Sequence, residues 1–267
     1  MHLKLDHSAG PLRVLQITDT HLGATPDKRL AGASTLQCLS DVLGAAAAGE
    51  PADLLLLTGD LADDGSPQAY RMLERVLSGW DVPQAWLPGN HDDLANMQAV
   101  VPHRLIQTVA AGNWGIILLN SQIAGEVGGA LSEPELDRLR AFLASPDWSF
   151  CLVCVHHHPV AIGCRWLDEQ RIANADELLR ILDQAPKARA LLWGHVHQVY
   201  DGRRGALRLL GAPSTCVQFA PHSERFKVDL LAPGWRGLVL HEDGRIETSV
   251  QRLSHGCPDI DYDCAGY

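Results

Sequence analysis

Hydrophobic and polar positions follow two alternating spacings up to about residue 200. Short apolar runs, such as the four leucines Leu54–Leu57, are typical of strands that are buried on both faces. Between such runs, apolar residues recur with the spacing of one helical face, as they do in the segment 34–48. The apolar runs predict strands at 12–18, 54–57, 84–88, 114–120, 150–155 and 188–193, and the helical spacings predict helices at 34–48, 66–77, 132–143 and 174–182.

After residue 200 the pattern changes to short strands that are separated by Gly and Pro. Candidate strands lie at 206–210, 214–219, 236–241 and 245–251. We therefore expect one α/β domain over residues 1–253, β-rich from about residue 200, followed by a C-terminal tail at 254–267. A single doubly wound sheet is the competing architecture.

Composition limits the functional classes. Of the 267 residues, 46% are hydrophobic and 20% are charged, which is typical of a globular protein. The formal net charge of -10 argues against binding to a nucleic-acid polymer, which would need clustered Lys and Arg. The N-terminal residues lack the features of a signal peptide, and we see no apolar stretch long enough to span a membrane. We therefore expect a soluble cytoplasmic protein.

The seven cysteines are odd in number, and no export signal is apparent. In this context we expect reduced thiols rather than a disulfide framework.

Polar side chains follow five of the predicted strands, at the point where each strand ends. They are Asp19 with His21, Asp60, Asn90 with His91, the run His156–His158, and His195 with His197. Open α/β sheets build their sites at the carboxyl ends of strands. Each cluster alone could be an ordinary turn or cap, but five of them together indicate a metal site.

The donor atoms limit the choice of metal. Imidazole nitrogens with carboxylate or amide oxygens suit Fe, Mn, Zn, Co or Ni. A carboxylate at the end of an apolar strand needs a compensating charge, and Asp60 follows the strand of four leucines. Two ions about 4 Å apart can share one bridging carboxylate. The sequence therefore predicts two divalent metal ions per chain, with Asp60 between them.

Five motifs, in order, resemble the full motif set of the calcineurin-like metallophosphoesterases. They are Asp19-Thr-His21, Gly59-Asp60 with Asp63, Gly89-Asn90-His91-Asp92, His157-His158-Pro159 and Gly194-His195-Val-His197. The resemblance implies a β-sandwich flanked by helices, in α/β/β/α layers. It also implies that Asp19, His21 and His197 hold one metal, that Asp60 is shared, and that Asn90, His157 and His195 complete the second.

One ligand of the second metal has an alternative. The family pattern His-x-Pro selects His157, because Pro159 fixes the alignment. His156 is the alternative, should the strand end one residue earlier. Asp63 is expected to orient loops by hydrogen bonding, and Asp92 to do the same for His91.

A narrower resemblance extends through the β-rich part. Four segments resemble the bacterial class III cyclic-nucleotide phosphodiesterases of the CpdA type: Leu15–Leu22, Trp86–Asp92, Pro213–Phe219 and Ala232–Arg236. The resemblance implies hydrolysis of 3′,5′-cyclic AMP to 5′-AMP by a metal-bridging hydroxide, with Fe or Mn as the favoured ions and Zn, Co or Ni as alternatives. Such an enzyme would lower cyclic-AMP signalling.

The resemblance also implies roles for individual residues. His91 would hold a phosphate oxygen or protonate the leaving 3′ oxygen, with Asp92 beside it as the second catalytic residue. The residues implied to contact substrate are His21, Asp60, Asn90, His91 and His197. Trp166 and His222 are candidates for a base pocket, although packing within loops explains each of them equally well.

Three alternatives remain open at the level of the sequence. The substrate could be another phosphodiester, such as a 2′,3′-cyclic nucleotide or a phospholipid, or a phosphomonoester. The chain could also be a metal-dependent scaffold without turnover, although the presence of His91 argues against this. The native metal and the oligomeric state are left open, with a homodimer as one option.

Overall fold

The computed structural model describes residues 1–7 and 10–266. Its strands are β1 (His2–Leu5), β2 (Leu12–Ile17), β3 (Arg29–Leu30), β4 (Ala33–Ser34), β5 (Leu54–Thr58), β6 (Gln84–Leu87), β7 (Thr108–Ala111), β8 (Trp114–Leu118), β9 (Phe150–Cys154), β10 (Ala188–Trp193), β11 (Tyr200–Arg204), β12 (Leu207–Gly211), β13 (Gly234–Leu240) and β14 (Ile246–Arg252). Its helices are α1 (Thr35–Ala47), α2 (Pro67–Val76), α3 (Leu94–Val100), α4 (Glu133–Ala144), α5 (Arg165–Asp168) and α6 (Ala175–Asp183).

The strands form two large sheets and a short hairpin. The seven-stranded sheet has the order β1-β7-β8-β9-β10-β12-β11, and the five-stranded sheet has the order β14-β13-β2-β5-β6. Strands β3 and β4 pair as a separate hairpin. The two-sheet arrangement rules out the single doubly wound sheet.

The two large sheets pack face to face, and helices cover their outer faces. Leu54 and Leu56 of β5 point into the core between the sheets, where they meet residues such as Ile116 and Leu152. Leu55 and Leu57 point the other way, into the core beneath α1 and α2. Since side chains alternate along a strand, the leucine run fills both cores, as its composition predicts. A third core lies under α4 and α6, so the expected α/β/β/α layers are confirmed.

The parallel strands of both sheets bring their carboxyl ends to one edge of the sandwich. In the five-stranded sheet β2, β5 and β6 are parallel neighbours. In the seven-stranded sheet β8, β9, β10 and β12 are parallel neighbours. The polar clusters that follow β2, β5, β6, β9 and β10 therefore extend from the same edge.

The predicted strand at 214–219 is wrong. The segment is a loop because its polar groups bind elsewhere: the Thr215 N–H donates to the Thr18 carbonyl, and the Ser214 hydroxyl donates to the Asp19 carbonyl. The Gln218 side chain donates back to the Ser214 and Cys216 carbonyls. These hydrogen bonds take the place of the backbone hydrogen bonds that a strand would form with a neighbouring strand.

The expectation of reduced thiols alone is also wrong. Cys38 of α1 forms a disulfide with Cys257, across a sequence separation of 219 residues and a Cα–Cα distance of 5.9 Å. In the chain-entropy model, closing so long a loop stabilises the fold by about 5 kcal/mol. The other five cysteines are free thiols. Neither cysteine of the pair carries a local sequence signal, and their proximity arises only when the fold brings the two ends of the chain together.

Among the described residues, no helix is both long and apolar enough to cross a membrane.

Candidate metal centre

The turns after the site strands adopt an uncommon backbone conformation. Asp19, His21, Asp60, His195 and His197 all have positive φ angles, between 45° and 64°. Non-glycine residues adopt this region at a cost, and such residues concentrate at functional sites. The strain is held by bonds between the turns, in which the Asp19 N–H donates to the Gly59 carbonyl and the His21 N–H donates to the Asp60 carbonyl, both at 3.0 Å.

Glycines in the motifs make room for the polar side chains. A Cβ on Gly89 would lie 2.2 Å from Oδ1 of Asp60, and a Cβ on Gly194 would lie 2.7 Å from Oδ2 of Asp19. A Cβ on Gly59 would lie 2.3 Å from Nδ1 of His156. Any larger residue at these three positions would displace a candidate ligand, which explains why Gly precedes Asp60, Asn90 and His195.

One group of candidate ligands, which we call the first cluster, comprises Asp19, His21 and His197. Nε2 of His21 lies 3.2 Å from Nε2 of His197, which lies 3.5 Å from Oδ1 of Asp19. All three residues are buried, and their ligand atoms lie within 4.8 Å of one another. Three nitrogen and oxygen donors that converge in this way match the donor set of a divalent transition metal.

The second cluster comprises Asn90, His156 and His195. Nε2 of His156 lies 3.1 Å from Oδ1 of Asn90 and 3.2 Å from Oδ2 of Asp60. The rings of His156 and His195 are 5.1 Å apart. Oδ2 of Asp60 also lies 3.9 Å from Nε2 of His21, so this carboxylate stands between the two clusters.

His156, rather than His157, faces Asp60. Nδ1 of His157 lies 2.8 Å from the Ser121 hydroxyl, and its Nε2 lies 3.1 Å from the Val127 carbonyl. Strand alternation explains the difference. Leu152 and Cys154 face the core between the sheets, so position 156 continues on the side of the five-stranded sheet and position 157 on the opposite side. His157 nevertheless stays near His195, at 4.7 Å between rings, and its ligand atom lies within 4.8 Å of those of His156 and His195. The sequence motif prefers His157, whereas the geometry places the alternative, His156, beside Asp60.

Second-layer hydrogen bonds orient three of the histidines. Nδ1 of His156 lies 2.8 Å from the Thr58 carbonyl, and Nδ1 of His197 lies 2.7 Å from the Val217 carbonyl. Nδ1 of His21 lies 3.2 Å from Oδ1 of Asp63. In each case the acceptor fixes the proton on Nδ1 and leaves Nε2 as the basic nitrogen, which is the arrangement that metal-ligating histidines require.

His195 is buried, and its Nε2 has no hydrogen-bond partner within the described structure. Its backbone N–H donates to the carboxylate of Asp19, at 3.0 and 3.1 Å to the two oxygens. A buried polar atom without a partner is costly. This orphaned nitrogen supports the fit of the residues to a metal.

His91 lies at the edge of both clusters. Its backbone N–H donates to Oδ1 of Asp60 at 2.9 Å, and its ring packs edge-on against His21 at 4.8 Å. Nδ1 lies 3.1 Å from the Asp63 carbonyl. With its side chain 25% exposed, His91 is more accessible than His21 or Asp60.

Asp92 is buried below these loops. Its carboxylate accepts hydrogen bonds from the backbone N–H groups of Leu61, Ala62 and Gly89, and from the Tyr70 hydroxyl. These contacts tie the loop after β5 to the loop after β6, on which Asp60 and Asn90 lie. Asp92 therefore positions both loops.

Charges in the site shift the pKa values of several groups. Burial alone would raise the pKa of Asp60, but the histidines around it, His156 first, hold it well below its usual value. Burial would lower the pKa of His156, but Asp60 raises it to about 9. In the absence of metal these two residues therefore form a buried ion pair. Burial lowers the pKa of His157 to about 3, and burial with the neighbouring histidines lowers that of His195.

The pKa values of Asp92 and His91 are also shifted by burial and by the charge of Asp60. Burial, and then the charge of Asp60, raises the pKa of Asp92 to about 6. For His91 the attraction of Asp60 and Asp63 outweighs burial, and its pKa is raised. A raised pKa keeps His91 protonated over more of the neutral range, as a proton donor requires.

The candidate base-pocket residues lie away from the candidate metal ligands. Trp166 packs against Phe219 at 5.1 Å, and Phe219 stacks on His197 at 4.0 Å. Trp166 is therefore separated from the site by one ring. His222 is exposed and has a φ of 58°. Neither residue is among the ligand clusters.

The structure adds supporting residues that the sequence analysis does not identify. They are the Thr58 and Val217 carbonyls, Ser121 beside His157, Tyr70 beside Asp92, and Lys28, which pairs with Asp63. Backbone carbonyls carry no residue-type signal. The alternation of β9 is the one pattern that could have selected His156 over His157.

Comparison with known proteins agrees with this geometry. The family model of the calcineurin-like phosphoesterases matches residues 12–199. The 3′,5′-cyclic adenosine monophosphate phosphodiesterase CpdA of Pseudomonas aeruginosa is 44% identical, over 95% of this chain and 94% of its own. The enzyme of the same name from Escherichia coli K12 is 42% identical, over 91% of this chain and 90% of its own.

Solved structures share the fold at low sequence identity. A dimetal phosphatase from Danio rerio superposes with a TM-score of 0.62 and 16% identity, over 92% of this chain and 100% of its own. A purple acid phosphatase from yellow lupin superposes with a TM-score of 0.64 and 13% identity, over 94% of this chain and 53% of its own. By its motifs, its fold and its match to the family model, the chain belongs to the calcineurin-like phosphoesterases, a family that uses a dinuclear metal centre.

Proposed function

We propose that this chain is a metal-dependent phosphodiesterase that hydrolyses the 3′ ester bond of 3′,5′-cyclic AMP and releases 5′-AMP. The observation that carries the proposal is the position of Asp60 between two Asp/His/Asn clusters at one edge of the sandwich. The substrate follows from similarity to cyclic-AMP phosphodiesterases that are up to 44% identical over nearly the whole chain.

The donor set supports a ligand assignment. Asp19, His21 and His197 hold one ion, and Asp60 is shared. Asn90, His156 and His195 hold the other, with His156 replacing His157 because only His156 has its Nε2 within 3.2 Å of both Asp60 and Asn90. In this assignment His157 forms a wall of the site, since its two ring nitrogens lie beside Ser121 and Val127.

The donors are compatible with Fe, Mn, Zn, Co and Ni, and the family resemblance favours Fe or Mn among them. When bound, the two ions supply positive charge for the phosphate and a water whose pKa is lowered towards neutrality. The buried ligands exclude bulk water, which strengthens the attraction between the site and an anionic phosphate. The overall negative charge of the chain therefore does not prevent binding of an anion.

His91 is the proton donor in this proposal. Nδ1 lies 3.1 Å from the Asp63 carbonyl, which fixes a proton on Nδ1 and orients the ring. In the metal-free protein, the attraction of Asp60 outweighs the effect of burial and raises the pKa of His91. His91 contacts a phosphate oxygen or the leaving 3′ oxygen, next to the ligands His21, Asp60, Asn90 and His197 that face the phosphate.

Asp92 acts through the loops rather than on the substrate. Its carboxylate holds Gly89 and Leu61, which flank the turns of Asn90 and Asp60. We therefore assign to Asp92 a positioning role instead of the catalytic role that the resemblance implies.

The test is a comparison of substrates after reconstitution with Fe(II) or Mn(II). Turnover is measured with 3′,5′-cyclic AMP, 3′,5′-cyclic GMP, 2′,3′-cyclic AMP and p-nitrophenyl phosphate esters. We expect 3′,5′-cyclic AMP to have the highest kcat/KM. Failure on this substrate, together with good activity on another ester, would overturn the substrate and leave the metal centre in place.

A further inference from the structure

Three cysteine side chains meet under the first cluster. Cys38 of α1 is bonded to Cys257, and the free thiol of Cys216 lies beside them. All three are buried, and their sulfur atoms lie within 4.8 Å of one another. We call them the three-cysteine cluster. Its members come from a helix, the loop 213–219 and the segment 254–266, which are far apart in the sequence.

The loop that carries Cys216 also supports the first cluster. The Ser214 hydroxyl donates to the Asp19 carbonyl at 2.8 Å, and the Cys216 N–H donates to the same hydroxyl at 2.9 Å. The Val217 carbonyl accepts from Nδ1 of His197 at 2.7 Å. The residues on both sides of Cys216 therefore orient Asp19 and His197.

The segment that carries Cys257 supports the β3–β4 hairpin. The Asp261 N–H donates to the Ala31 carbonyl at 2.8 Å, and the side chains of Arg29 and Asp259 are 3.2 Å apart. The hairpin therefore depends on the segment 254–266 for part of its contacts.

The hairpin in turn reaches the metal ligands. Lys28, directly before β3, forms an ion pair with Asp63. Asp63 accepts the hydrogen bond from Nδ1 of His21. A continuous set of contacts thus leads from Cys257, through the hairpin, to a ligand of the first cluster.

Of the two cysteines of the disulfide, Cys257 is the more exposed to solvent. Cys257 is 7% exposed and Cys38 is 1% exposed. The residues 254–256 before Cys257 and 258–259 after it are exposed to solvent. A small opening of this segment brings the sulfur of Cys257 within reach of an attacking thiolate, as disulfide exchange requires.

We propose that the Cys38–Cys257 disulfide is a redox site that controls how tightly the metal centre holds its ions. The reductant is a dithiol. One of its thiolates attacks the sulfur of Cys257, and Cys38 leaves as a thiolate that takes up a proton. The second thiol of the reductant then attacks the mixed disulfide and releases Cys257 as a thiol. The protein gains two electrons and two protons, and the dithiol becomes a disulfide.

Reduction removes the covalent link between the segment 254–266 and α1. The hairpin then loses support, and with it the contact of Lys28 with Asp63 behind His21. The packing around Cys216 loosens at the same time, next to the supports of Asp19 and His197. The first cluster therefore releases its ion faster in the reduced protein. This inference rests on the proposed metal centre.

The experiment compares the two redox states of the Mn(II)-loaded protein. Thiols are counted after denaturation and alkylation, and we expect five in the oxidised state and seven in the reduced state. Release of Mn(II) to a chelator is then followed across a series of dithiol redox buffers. We expect release to be at least about fivefold faster after reduction, with the same midpoint potential as the thiol count. Hydrogen exchange of the metal-free protein provides a second readout, with faster exchange at 254–266, 28–34 and 213–219 after reduction.

Two serine variants separate the redox effect from simple loss of a cysteine. Cys257→Ser should release Mn(II) quickly and show no dependence on the redox buffer. Cys264→Ser removes a free thiol of the same segment and should behave like the original protein. If Cys257→Ser does not fold, the redox titration of the unmodified protein still tests the proposal.

Three results would overturn the proposal. One is a count of seven thiols in every buffer, and another is equal release of Mn(II) from the five-thiol and seven-thiol forms. Equal release contradicts only the redox link, because the ions are still bound. Failure of both forms to bind Mn(II) contradicts the metal centre itself, and the redox link with it.

Discussion

The two clusters of candidate ligands are built differently, although Asp60 lies between them. In the first cluster, Asp19 and His21 come from one turn, and His197 is fixed through its Nδ1 by the Val217 carbonyl. In the second, the candidate ligands come from three separate strand ends, and Asn90 is half-buried. When candidate ligands lie in one turn, as Asp19 and His21 do, the sequence motif alone identifies them. A ligand within a run of three histidines is identified only by the direction in which each side chain points.

The largest expected effect comes from Asp60, which joins the clusters. Asp60→Ala removes the shared carboxylate, so both ions should be lost or unpaired and turnover should fall by at least about a thousandfold. Metal content is measured by elemental analysis. The control is Asp64→Ala, because Asp64 lies four residues further on and is exposed. Retention of two ions by Asp60→Ala would contradict the shared role.

A variant of His91 tests whether this residue, at the edge of the two clusters, takes part in catalysis without binding metal. His91→Ala should keep both ions and lose turnover by about a hundredfold to ten-thousandfold, because a proton donor is removed. The effect should fall on kcat more than on KM. His103→Ala is the matched control, since His103 is an exposed histidine that pairs with Glu74. Normal turnover in His91→Ala would remove its assigned role.

The pair His156 and His157 tests the second cluster directly. His156→Ala should lose one ion and reduce turnover by about a hundredfold or more, whereas His157→Ala should keep both ions and lose less than about tenfold. Metal content and kcat are measured for both variants. The reverse result would restore His157 as the ligand that the Pro159 pattern selects.

Asp63 tests the orientation of the first cluster. Asp63→Asn removes the charge that holds Nδ1 of His21 and pairs with Lys28. The affinity for the ion of the first cluster should fall by about tenfold, as is typical for such supporting residues. The measurement is competition with a chelator of known affinity. An unchanged affinity would show that His21 is oriented without Asp63.

The smallest effect concerns the pH dependence of the metal-free protein. The pKa of His156 is raised from 6.5 to about 9 by its pairing with Asp60. A raised pKa in the folded state contributes stability that is fully present below pH 6.5 and is lost as the pH rises through about 9. The Tm of the metal-free protein should therefore fall by a few degrees across this range. In His156→Gln this decrease should be absent, and an equal decrease in both proteins would contradict the ion pair.

Much of the architecture could be predicted from the sequence. The run Leu54–Leu57 predicts a strand buried on both faces, and the structure places its alternate side chains in two cores. The segment 214–219 has the composition of a strand, yet it forms a loop because Ser214 and Thr215 bind the turn at Asp19. Local pattern cannot report such long-range hydrogen bonds.

For the candidate site, the motifs brought together the residues that the structure also brings together. What they could not supply was the direction of the side chains at the end of β9, which decides between His156 and His157. Nor could they supply the Cys38–Cys257 pair, whose members are 219 residues apart. Both depend on how distant segments meet in the folded chain.

The leucine strand has one more consequence, for how β5 finds its alignment. A one-residue slip along β5 would exchange the inner and outer side chains, but leucine would replace leucine at three of the four leucine positions, so burial penalises the slip less than in a strand of mixed composition. The bonds from Asp19 N–H to Gly59 and from His21 N–H to Asp60 would be lost in the slipped state. These two bonds therefore favour the correct register of β5, in addition to the burial of its leucines. Asp19, His21 and Asp60 therefore contribute both to the candidate metal centre and to the alignment of β5 in its sheet.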